Sequence, residues 1–83
     1  PVDDPVFTTE APGLLFEVFS DRIESKVKKR VQQVRLENVA EVLVSTRPKK
    51  LVVVTREGKR YQYLLGRDTE LARAAIVRAV ADA

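Results

Sequence analysis

From about residue 14 the apolar positions of this chain mostly alternate with polar ones, and beyond about residue 65 they recur at helical intervals. Phe16 and Val18 alternate with Leu15, Glu17 and Phe19, which predicts a first strand over 14–19 and a turn at Ser20-Asp21. Residues 22–36 fit two templates. As a strand pair, Ile23, Ser25 and Val27 face inward, the chain turns at 28–30, and Val34 and Leu36 face inward again. As a helix, Ile23, Val27, Val31 and Val34 share a face, with Asp21 and Glu24 as a capping box. The β-branched side chains tip the choice toward strands.

From Leu36 the pattern is plainer. Residues 37–40 form a bend, 41–46 a strand, and Arg47-Pro48-Lys49 a turn, because proline fixes its own φ and lacks a ladder donor. The run Leu51, Val52, Val53, Val54 predicts a strand over 50–56 whose centre is covered on both sides. Glu57-Gly58 supplies a hairpin turn into a strand over 59–65, with Tyr61, Tyr63 and Leu65 on one face. Gly66-Arg67 ends that strand. Asp68 is the expected N-cap of a helix whose apolar stripe is Leu71, Ala72, Ala75, Ile76, Ala79, Val80 and Ala83. The expected fold class is therefore mainly β with one C-terminal α-helix. The alternative is an α+β sandwich with a helix at about 22–40.

Residues 1–13 hold three of the four prolines and little periodicity. They read as an extended or partly disordered lead-in, leaving 14–83 as a single domain. At 83 residues there is room for one core only. The chain begins at Pro1 and contains no methionine, which suggests an excised piece of a longer protein. No apolar run approaches the ~20 residues of a membrane span.

Composition then narrows the chemistry. Without cysteine or histidine there is no thiolate, no imidazole base and no usual zinc ligand. No Walker or dinucleotide pattern is present, and Glu37 and Glu41 are too isolated to act as an acid–base pair. The expectation is a non-enzyme with no cofactor, no metal site and no small-molecule substrate.

The net charge of +3 is unevenly spread. Residues 1–21 carry five acids and no base, whereas 22–60 carry twelve bases against four acids. The bases gather in three runs: Lys26, Lys28, Lys29 and Arg30; Arg47, Lys49 and Lys50; Lys59 and Arg60. These nine are the candidate contacts for an anion or an anionic membrane surface. If the strand reading holds, successive loops lie at alternate ends, and a single continuous patch is not guaranteed.

Taken together, VFSDRIESKV (18–27), VRLENVAEVLV (34–44), LVVVTREGKRYQYLL (51–65) and TELARAAIVRAV (69–80) resemble the pleckstrin-homology-like (PH-like) superfamily, most closely its small bacterial domains. The resemblance lies in a hairpin, a Leu-x-x-Val-x-x-Val bend at Leu36, Val39 and Val42, a central glycine hairpin and a closing helix, across roughly 14–83. It implies a bent, partly open antiparallel β-barrel or sandwich capped by the terminal helix, and a binding or assembly role. Phosphoinositide-binding members carry a basic motif around the first hairpin loop. Here that loop is taken as Ser20-Asp21-Arg22 and the motif is absent, so no binding residue transfers.

The expected function is an interaction module of a larger cytoplasmic protein. A protein partner or self-association comes first, through a strand edge such as 14–19 or 41–46. Anionic lipid comes second, which would place the protein at the membrane surface through neighbouring segments of its parent. Nucleic acid is disfavoured, because Tyr61 and Tyr63 beside Lys59 and Arg60 read as core rather than as a stacking platform. A further expectation is that the acidic lead-in lies across the basic body of its own or a neighbouring molecule and screens it until a competitor arrives.

Overall fold

The computed structural model describes residues 4–82. Seven strands precede the helix: β1 (Phe7–Ala11), β2 (Leu14–Val18), β3 (Arg22–Val27), β4 (Arg30–Arg35), β5 (Val39–Thr46), β6 (Lys49–Thr55) and β7 (Arg60–Tyr63). A 3-10 turn at Leu36–Asn38 joins β4 to β5, and another at Gly66–Asp68 leads into α1 (Thr69–Asp82). The strands form two antiparallel sheets in chain order, β1-β2-β3-β4 and β5-β6-β7, and neither sheet closes on itself. The architecture is mainly β with one C-terminal helix.

Residues 22–36 are thus a hairpin and not a helix. Ile23 pairs with Val34 and Ser25 with Gln32, so the period-two pattern places Ile23 and Val34 on the core face. Phe7–Ala11, expected in the lead-in, form β1 and pair with β2 in full register. The two threonines of this FTTEA segment suit a pleated strand, and Thr9 is buried beneath it. One consequence is that β2 lies inside the sheet. The expected free edge at 14–19 does not exist, whereas β5 is an edge as expected of 41–46.

Both sheets and the helix feed one core. Phe16, Val18 and Ile23 of the first sheet meet Leu51, Val53 and Tyr63 of the second, with Ala72 and Ile76 of α1 closing the end. The Phe16 and Tyr63 rings meet edge to face at 4.9 Å. Such a pair contributes about 0.5–1.5 kcal/mol beyond its buried area. The centre of β6 is buried on both faces, as its apolar run predicts. Leu51 and Val53 enter the core, while Val52, on the opposite face in a row with Leu43 and Gln62, is 8% exposed.

The helix buries a narrower stripe than its apolar positions suggest. Thr69, Ala72, Ile76 and Ala79 are buried, but Leu71 is 59% exposed and Val80 is 37% exposed. Each residue advances about 100° around a helix. Leu71 therefore leaves the sector that alanines fill closely, and Ala83 lies outside the described residues. Asp68 does not cap the helix with its carboxylate. That group instead accepts the hydroxyl of Thr9, tying β1 to the start of α1, while the Thr69 hydroxyl donates to the Gly66 carbonyl at 2.7 Å.

The corner between the sheets is fixed by backbone contacts. The Arg56 N–H donates to the Asn38 carbonyl at 2.8 Å and its Nε to the Glu37 carbonyl at 2.9 Å. These bonds hold the β6–β7 turn against the 3-10 turn at Leu36–Asn38. No helix is long and apolar enough to cross a membrane among the described residues.

Candidate interaction surface

The three basic runs occupy three different places. Lys28 and Lys29 are the two central residues of the β3–β4 turn, since Val27 pairs with Arg30. Lys26 precedes them on β3, opposite Val31. Arg47 and Lys49 flank Pro48 in the β5–β6 turn, where the Arg47-Pro48 peptide is cis, and Lys50 follows on β6. Lys59 and Arg60 lie at the β6–β7 turn. In a meander, consecutive turns fall at opposite ends of the sheet. Lys59 and Arg60 are therefore beside the corner, while the other two runs sit at strand ends remote from it. The nine bases do not form one patch.

Of the three, the β3–β4 turn has the most distinctive setting. Lys26, Lys28, Lys29 and Arg30 are all exposed, and none has an ion-pair partner among the described residues. Two valines stand beside them, Val27 at 47% and Val31 at 54% exposed. Open concavities of about 570 and 510 Å³ wrap the tip, one lined by Val27 to Arg30 and the other by Ser25, Arg30 and Gln32 among others. Lys28 takes φ +56°, the sign a primed hairpin turn requires of its first central residue. A β-carbon in that region costs about 1–2 kcal/mol, which glycine would avoid. The turn keeps a lysine there nevertheless.

By contrast, Lys50 is tethered. Its Nζ donates to Gln62 Oε1 at 2.8 Å across β6 and β7. Elsewhere charge is paired locally: Arg22 lies against Asp21 at 2.8 Å and Glu24 at 2.5 Å and stacks on the Phe19 ring, and Arg35 meets Glu37 at 2.9 Å.

The sequence pattern did not reveal the feature that adjoins the basic turn. β4 is an edge strand, and Arg30, Val31, Gln32 and Gln33 are all exposed, on both faces of the sheet. Alternate residues of an antiparallel edge point their N–H and C=O groups away from the partner strand. No strand pairs with β4 on that side among the described residues. Its middle carries no charge, no proline and no bulge, the usual means of blunting an edge. The other edges are less open. β7 has four residues, β5 has a register shift between Val39 and Glu41 and packs on α1, and β1 is flanked by Pro5 and Pro12.

Two further expectations are corrected by this geometry. The first hairpin loop is Pro12-Gly13, between β1 and β2, and it carries no base. The basic phosphoinositide pattern is absent there as well. Within the lead-in, β1 lies at the edge opposite β4 and does not cover the β3–β4 turn of its own chain, while residues 1–3 lie outside the described residues. Tyr63 is buried and Tyr61 packs on the core, leaving no exposed aromatic stack beside Lys59 and Arg60. Burial pushes the Tyr63 phenol up to about 12, with a smaller rise from neighbouring Tyr61 and a partial offset from the Ser25 hydrogen bond.

A separate concavity of about 550 Å³ runs along α1, where Ala74, Ala75, Arg78 and Asp82 face Val6 and Ser20. It brings no cluster of chemically reactive groups together. Compared with known proteins, the chain matches no family model, no curated protein and no solved structure.

Proposed function

We propose that this chain is a non-catalytic interaction module of PH-like type whose partner is another polypeptide, bound by strand addition to an open sheet edge. The PH-like reading is supported by the order of elements: four strands, a tight corner, three strands and a closing helix. The observation that carries the partner reading is the edge of β4, exposed from Arg30 to Gln33 and unpaired on its outer side among the described residues. Strand addition satisfies those backbone groups and gives affinity through main-chain bonds.

The test is a panel of short extended peptides, acidic, neutral and basic, together with a concentration series of the protein itself. Amide exchange is followed by NMR. Slowed exchange confined to an edge strand supports the module. Unchanged exchange at β1, β4, β5 and β7 throughout removes it.

A second reading, association with an anionic membrane surface, is favoured by one arrangement: exposed Val27 and Val31 beside Lys28, Lys29 and Arg30, which have no ion-pair partner among the described residues. Each base near anionic lipid contributes about 1 kcal/mol. Failure to cosediment with phosphatidylglycerol vesicles at low salt removes it.

A further inference from the structure

Resting on the strand-addition reading, we infer that the occupant of the β4 edge is an acidic extended segment about as long as β4, with a carboxylate at the end that meets the β3–β4 turn. The charge around the edge argues for this. Lys28, Lys29 and Arg30 cluster where β4 begins, with no ion-pair partner among the described residues, whereas Arg35 at its other end is already paired with Glu37 at 2.9 Å. Val31, Gln32 and Gln33 between them are uncharged. A partner strand with a β-branched, polar centre and Asp or Glu beside the turn meets each of these with a complementary group.

The same charge gives a second copy of the chain no such advantage. Two β4 strands paired antiparallel about a two-fold axis bring the Lys28–Arg30 tip of one chain alongside the Arg35–Glu37 pair of the other, where the net charge is zero. Glu10 and Glu17 of the chain itself are committed to the β1–β2 hairpin at the opposite edge. The occupant to which the proposal commits is an acidic segment of a partner polypeptide.

Three peptides test this against the intact chain: Glu-Thr-Val-Thr-Val-Glu, its Lys-ended counterpart, and the acidic version with proline at the central valine. The expected result is slowed exchange and shifted amides at Arg30–Gln33 with the first peptide alone. Proline removes the effect because it interrupts the ladder. The double variant Lys29→Glu, Arg30→Glu, at exposed positions, weakens binding about tenfold, and raising salt weakens it in the wild type.

Other outcomes overturn the inference in distinguishable ways. Equal binding of the proline version means charge attraction without strand addition. Equal binding of the Lys-ended peptide, or protection at β1, β5 or β7, sinks the acidic β4 assignment and leaves the strand-addition module standing. No protection at any edge by any peptide sinks both. Shifts at Val27 and Val31 with phosphatidylglycerol vesicles, and none with peptide, move the site to the membrane.

Discussion

The first sheet is made of two hairpins that turn at the same end and differ in almost every other respect. The β1–β2 hairpin turns on Pro12-Gly13, with glycine at φ +77°, the pairing a type II turn favours. It carries Glu10 and Glu17 and no base. The β3–β4 hairpin turns on Lys28-Lys29, with lysine at φ +56°, and is rich in bases. The first is tied to the start of α1 by Thr9 and Asp68, whereas the outer edge of the second pairs with no strand among the described residues. The contrast teaches that the second hairpin was not shaped by stability alone. A residue that costs conformational energy at a turn, beside an unguarded edge, is where a binding role is to be sought.

The comparison breaks most sharply at the core. Phe16→Ala in the first hairpin removes a fully buried ring from its contact with Tyr63 and is expected to cost about 3–5 kcal/mol. That approaches the lower end of the net stability of small domains, about 5 kcal/mol. Val31→Ala in the second hairpin is expected to change stability by less than about 0.5 kcal/mol. Urea unfolding of both variants checks the difference. Equal losses would remove the distinction.

Tyr63 touches both hairpins, through the Phe16 ring and the Ser25 hydroxyl. Its phenol stays protonated in the folded protein up to about pH 12, while the unfolded chain releases the proton near its ordinary value, about 10. The folded state thus binds more protons in that window. Stability is expected to fall by about 1.4 kcal/mol per unit from about pH 10 to about pH 12, and not to respond to this group below about pH 9. Unfolding midpoints measured across that range show the slope, and Tyr63→Phe removes it.

A smaller effect comes from the clasp. Asp68→Ala deprives the part-buried Thr9 hydroxyl of its carboxylate and is expected to cost about 1–3 kcal/mol. Exchange of the β1 amides should accelerate more than that of β4. The smallest effects concern the turns. Gly13→Ala meets open space but is strained at its φ, so it should destabilise by about 1 kcal/mol. Lys28→Gly should stabilise by a similar amount, and thermal unfolding of the pair gives the two signs directly.

Much of the fold was legible because β-branched residues tip a stretch toward strands where periodicity alone leaves two templates open, as Ile23, Val27, Val31 and Val34 do. β1 was obscured because Pro5 and Pro12 bracket a segment with one large apolar side chain, Phe7. The over-wide helix stripe arose because hydrophobicity ranks Leu71 above Ala72, although close approach to the sheets selects the smaller residue. At the candidate site, the bases and their turn could be read from Lys26 to Arg30. The open edge could not, since β4 is outermost because β5 leaves for the second sheet, and no local pattern in β4 records that.

Val6 and Asp82 line the same groove beside α1, so the described chain starts and finishes at neighbouring points on the surface. A polypeptide joined to both points needs only a short detour to accommodate the domain, the geometry that permits insertion into a host loop or circular permutation. Because β1 and β4 are separated by two intervening strands, roughly 14 Å of sheet at the usual spacing lies between β1 and the β4 edge.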